Sequence, residues 1–133
     1  FYVSVFPDSK ITSVENYPET KEEGLADFQL ELAGKPLVVE FELSGVPFVG
    51  INAGPEFNFT EAVSFSISCK DQEEIDYFWE KLSTVKESEQ CGWCKDQFGL
   101  SWQVVPANMG ELMQKPNAYA KMMQMKKLVI ADF

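Results

Sequence analysis

Residues Ala62 to Cys69 alternate without a break. Val63, Phe65, Ile67 and Cys69 fall on one side of an extended chain, and Ser64, Ser66 and Ser68 on the other. Asp71 follows, with Glu74 three positions on, a capping-box-like helix start. Gln72 to Ser83 then places Ile75, Phe78, Trp79 and Leu82 on one helical stripe. A half-polar strand that runs into an amphipathic helix must bury its apolar side against that stripe. The serines are left on the side the helix does not cover, so this stretch points to an α+β architecture.

The rest of the chain repeats the theme. Gln90 to Lys95 and Leu100 to Val105 flank Asp96-Gln97-Phe98-Gly99 as a hairpin. In the first half, Leu37 to Leu43 and Val46 to Asn52 flank Ser44-Gly45 as another. Lys10 to Asn16 reads as a strand, and Phe1 to Phe6 as the last turns of a helix that stops at Pro7-Asp8-Ser9. Residues 25 to 32 read either as an extra strand or as part of a long solvated connection. Residues 108 to 125 look helical with a break at Pro116, and Lys127 to Ala131 reads as a final strand. Strand-helix-strand-strand-strand therefore occurs twice, if one strand preceded Phe1. Each half, about 1–56 and 57–133, has too little core to be stable alone. The halves are expected to pack together as a single domain or to trade elements in a homodimer.

Composition removes several function classes. The net charge is -10, His is absent, and all 11 basic residues are Lys. A cationic face for nucleic acid or an anionic membrane is not expected. The commonest metal ligand and general base is missing, as is the planar Arg fork. No apolar run approaches the roughly 20 residues of a membrane span. Three cysteines are too few for a disulfide framework, which suggests a cytoplasmic protein with free thiols. The five Met are expected to fill core gaps rather than bind sulfur-loving metals.

A four-residue loop in the second hairpin sets Cys94 opposite Ser101, Trp93 opposite Trp102 and Gly92 opposite Gln103. The two Trp rings then share an inner face with Cys91, while Cys94, Ser101, Gly92 and Gln103 form a polar face. Gly92 leaves open space above Gln103. The Cys91-x-x-Cys94 spacing on a strand separates the two thiols onto opposite faces, which argues against a redox pair or a zinc site.

Several segments carry a resemblance. Phe1 to Ile11, Ile51-Asn52-Ala53-Gly54-Pro55-Glu56-Phe57-Asn58-Phe59, Asp71 to Leu82, Cys91 to Pro106 and Met125 to Leu128 resemble PhnB-like proteins of the vicinal oxygen chelate (glyoxalase/bleomycin-resistance) superfamily. These are often labelled 3-demethylubiquinone-9 3-methyltransferase-like. No Gly-rich loop opening a helix supports a methyl-donor site. The resemblance implies two βαβββ modules with curled, mostly antiparallel sheets, usually in a homodimer, with the first strand absent from this chain. It also implies a metal held by His and Glu in the superfamily's enzymes. Asp96 to Gly99 and Gln103 resemble the superfamily's turn and its Glu ligand, with an amide in the carboxylate's place.

Two readings follow, beside a cup filled by the protein's own side chains or a partner. One is a metal-free module that binds a small organic ligand, with Gln103, Ser101, Cys94, Gly92, Asn52, Ser64, Ser66 and Glu40 as candidate site residues and no cofactor. The other is a divalent-metal enzyme of isomerase, lyase or dioxygenase type. Gln103, Glu40 and Glu61 would then be oxygen ligands for magnesium or manganese.

Overall fold

The computed structural model describes all 133 residues. Contacts divide the chain into two compact units, Phe1–Glu56 and Phe57–Phe133.

In the first unit a short helix α1 (Tyr2–Val5) precedes three antiparallel strands, β1 (Lys10–Asn16), β2 (Pro36–Leu43) and β3 (Val46–Ile51), in spatial order β1-β2-β3. The hairpin between β2 and β3 forms as expected: Leu43 pairs with Val46 across Ser44 and Gly45. Both turn residues have positive φ, 49° and 83°, the two-residue geometry that matches strand twist. The Ser44 hydroxyl donates to Pro7 O at 2.8 Å, which ties the turn to the end of α1. Val5 and Leu43 bury in the contact between α1 and β2. The stretch read as a possible extra strand is instead a 3-10 turn, Asp27–Leu32. Gln29 closes it by accepting from the Ala26 N–H at 3.1 Å.

The second unit opens on β4 (Ser64–Cys69) and α2 (Gln72–Leu82), followed by β5 (Trp93–Lys95) and β6 (Ser101–Pro106), in spatial order β4-β6-β5. β4 runs parallel to β6, and β5, the strand that follows α2, is antiparallel to β6. Asp71 caps α2 by accepting from the Glu74 N–H at 2.9 Å. Ile75, Phe78 and Leu82 of α2 bury with Ile67, Cys69, Cys94, Trp102 and Val104 of the sheet. The apolar side of β4 is thus covered by the helix, as its alternation requires, and the serines lie on the other side.

Two sequence expectations fail in this unit. The second hairpin is shifted by one residue: Trp93 pairs with Gln103, Cys94 with Trp102, and Lys95 with Ser101. The buried Asp96 sets this register. Its carboxylate accepts from the Phe98 and Leu100 N–H groups at 2.9 and 3.1 Å and from the Trp102 indole at 2.9 Å. The loop therefore spans Asp96 to Leu100 rather than Asp96 to Gly99. The final strand is also absent. The Gln72 side chain donates to Leu128 O and accepts from the Ile130 N–H, so these backbone groups are not free for a ladder. A 3-10 turn at Ile130–Asp132 takes its place, and Leu128 enters a core with Leu112, Ala118 and Phe133. The helical stretch before it breaks near Pro116 into α3 (Met109–Leu112) and α4 (Ala118–Met123).

Candidate functional site

Within the second unit, the sheet face away from α2 carries Ser64, Ser66 and Ser68 on β4. Ser101, Gln103 and Val105 stand beside them on β6, and Lys95 and Trp93 on β5. A cleft of about 650 Å³ opens on this face. Trp93, Gln103 and Val105 line it from the sheet, Met109 from α3, and Tyr119, Met122 and Met123 from α4. Ser88, Gln90 and Cys91, before β5, and Leu128 complete the lining. No charged side chain lines the cleft. The polar contacts it offers are amides, hydroxyls and one thiol.

Gln103 is where the sequence placed a ligand contact, and it lines the cleft. Its amide donates to Ser64 Oγ at 2.9 Å, which orients the side chain. Ser66, its neighbour in register, is exposed. Ser101 lies on the same face but is buried, with a hydroxyl that has no hydrogen-bond partner. The one-residue shift changes the remaining candidates. Cys94 lies on the α2 side, 1% exposed, and burial pushes its thiol up to about 12. Gly92 does not leave open space. A Cβ there would meet Leu128 Cδ1 and Val104 O at 3.1 Å, at a φ of +86°. The two Trp side chains separate as well. Trp93 looks into the cleft, and Trp102 is buried against Phe65 at a ring distance of 5.6 Å. Cys91, expected inside with the Trp pair, lines the cleft instead, in a left-handed conformation with φ 50°.

Asn52 and Glu40 belong to the first unit. Asn52 donates to Pro36 O at 3.0 Å, and its own carbonyl accepts from the buried Tyr17 hydroxyl. Glu40 is exposed on β2. Glu61 forms an ion pair with Lys95, whose ammonium holds the Glu61 carboxyl below the usual range. A divalent metal of the kind the superfamily resemblance implies is not matched by these donors. No group of three or more Cys, Asp and Glu side chains is placed to hold an ion, and Glu61 is already paired with Lys95.

Gln103 is the one lining residue that the sequence singles out as a site residue; the other ten, among them Trp93, Cys91, Tyr119 and the three Met, are not expected there. The five Met were read as core, and no periodicity distinguishes a helix that covers a sheet from one that leaves a cleft over it.

Residues 1–105 match the family model described as 3-demethylubiquinone-9 3-methyltransferase. Among solved structures, a putative 3-demethylubiquinone-9 3-methyltransferase, PhnB protein, from Bacillus cereus is similar to this chain at 30% identity. The match covers 80% of this chain and 85% of that one, with a TM-score of 0.61. No curated protein matches the chain.

Proposed function

The chain belongs to the 3-demethylubiquinone-9 3-methyltransferase (PhnB) family, and on that premise we propose that it binds a small, uncharged, mainly apolar organic molecule in the cleft of its second unit. The observation that carries this reading is a cleft of about 650 Å³ with no charged group and a few convergent polar ones. That is the usual make-up of a site that takes a small organic ligand. Trp93 and Tyr119 offer aromatic surface to a planar ring. Gln103, oriented by Ser64, supplies both an acceptor and a donor for a hydroxyl or carbonyl on that ring. The family's name points to a phenol or quinone ring. The support is for binding and not for methyl transfer, since no carboxylate or His lines the cleft to take a phenolic proton.

Methoxyphenols are suitable probes, having the ring and the polar substituents without the electrophilicity of a quinone. Titration followed by tryptophan fluorescence, with Trp93→Phe to separate the cleft signal from Trp79 and Trp102, and by native mass spectrometry should show one ligand per chain. Gln103→Leu should weaken binding by about tenfold, the worth of one net hydrogen bond. No binding of any member at millimolar concentration, or equal binding to Gln103→Leu, would count against this reading.

A further inference from the structure

The cleft has a second property, independent of any organic ligand. Four of its lining side chains carry sulfur: Cys91, Met109, Met122 and Met123. Two of these sulfurs touch. Cys91 Sγ lies 3.5 Å from Met123 Sδ, although the residues are 32 apart in sequence. We propose that Cys91 and Met123, together with a thioether from Met122 or Met109, form a binding site for one soft monovalent cation, of the Cu(I) class.

Three observations carry this. The first is that hydrogen bonds hold the two segments that carry these sulfurs side by side. The Cys91 N–H donates to Met125 O at 2.8 Å and the Gly92 N–H to Lys126 O at 2.7 Å. The Gln90 amide donates to Met123 O at 3.3 Å and reaches Cys91 Sγ at 3.4 Å. It therefore joins the two segments and places a donor on the sulfur that would carry negative charge, the kind of outer contact that orients a metal ligand. The second is distance. Metal–thiolate bonds are about 2.3 Å, so an ion bonded to both sulfurs at their present separation has an S–metal–S angle of about 100°. Small sulfur movements open this to a three-coordinate arrangement.

The third is charge. Oxygen-seeking divalent ions find no carboxylate in the lining, whereas thiolate and thioether together select soft ions. One thiolate and one monovalent cation sum to zero. On binding, the Cys91 S–H bond breaks, an S–metal bond forms, and the proton leaves to solvent. No oxidation occurs. The other two thiols do not compete: Cys69 and Cys94 are buried on the α2 side of the sheet.

The test uses the whole chain, reduced and anaerobic. Ag(I), which is redox-inert, is titrated with native mass spectrometry as the readout. Cu(I) is then titrated in competition with a chromogenic Cu(I) chelator, with X-ray absorption on the loaded protein. The expected result is one ion per chain with a sulfur-only shell. Cys91→Ser should weaken binding by more than about 100-fold and Met123→Leu by about tenfold, while Cys94→Ala leaves it unchanged. Circular dichroism confirms that each variant folds; if Cys91→Ser does not, Met123→Leu and the Met122→Leu/Met109→Leu pair decide in the intact-thiol background. The site is refuted if no ion is retained, if nitrogen or oxygen donors fill the shell, or if Cys91→Ser binds like the wild type. It is equally refuted if all Met variants bind like the wild type, because a single thiol would then be holding the ion.

Discussion

Replacing Asp96 with Ala should be among the most damaging single changes in the second unit, and its cost can be worked out from its contacts. The Asp96 carboxylate is 1% exposed and serves three donors. The bonds to Leu100 N–H and to the Trp102 indole are fully buried; the one to Phe98 N–H is part-buried and can be replaced by water. Each buried donor left without an acceptor costs about 1–3 kcal/mol, so Asp96→Ala should lose about 2–6 kcal/mol. Asp96→Asn keeps an acceptor for the loop N–H groups but turns an NH2 toward the indole, so one donor is orphaned at about 1–3 kcal/mol. Urea unfolding should place the midpoints in the order wild type, Asp96→Asn, Asp96→Ala with an unchanged slope. A loss under about 1 kcal/mol for Asp96→Ala would refute the assignment. A second readout belongs to the same substitution. Asp96 sets the loop length and hence the pairing of Trp93 with Gln103, so any folded Asp96→Ala should also lose ligand-induced quenching of Trp93.

Further outcomes follow from the same contacts. Gly92→Ala should destabilise by about 1–3 kcal/mol, because its Cβ meets a backbone carbonyl at 3.1 Å at a φ of +86°; unchanged thermal stability would contradict the packing. A thiol reagent at pH 8 should modify Cys91 first, with Cys69 and Cys94 reacting only on unfolding, as peptide mass mapping would show. Burial raises the Cys69 and Cys94 thiols to about 12. Their contribution is therefore fully present below the ordinary thiol range and is lost as pH rises toward about 12, so stability should fall across that window. Cys94→Ala should make the fall shallower. Glu89 behaves in the opposite sense: the Ser83 hydroxyl, then Lys86 and Lys126, hold its carboxyl below the usual range. Its contribution is present above that range and lost as pH falls, so Glu89→Gln should flatten the acid arm of a melting-temperature profile. The first unit leaves Ile11, Val14, Val46, Val49 and Ile51 of its strands exposed, and a homodimer is the proposed consequence. A monomer by light scattering at micromolar concentration would reject it.

The elements legible in the sequence were those with a local cause. The alternation from Val63 to Cys69 and the Asp71 cap produced β4 and α2 as read, and the Ser44-Gly45 turn tolerates the two positive φ angles its hairpin needs. The polar face of the sheet was also legible, because Ser64 and Gln103 differ in polarity from every neighbour that packs under α2. The hairpin register was not. It depends on a carboxylate reaching an indole six residues away, and turn residues alone suit a four-residue loop as well as a five-residue one. The final strand failed for a comparable reason: Gln72, 58 residues before Ile130, occupies the N–H that a ladder would have used.

One residue of register decides what chemistry the cleft can hold. In the four-residue loop, Cys94 would face the serines and Gln103, and the nearest donors would be oxygens. In the observed register Cys94 turns under α2, and Trp93 comes up beside Gln103. Cys91, kept out of the ladder by its left-handed backbone, meets Met123 on the cleft side. The side of the sheet that sequence patterning makes merely polar is thereby roofed by Met and aromatic side chains from α3 and α4. Oxygen donors that suit magnesium or manganese are scattered: Glu61 pairs with Lys95, and Glu40 lies in the other unit. Sulfur donors are gathered. The cleft is therefore proposed to take an apolar ring and a soft ion rather than an oxygen-seeking one, and titrating Mg(II) or Mn(II) beside Ag(I) on the same protein separates the two chemistries directly.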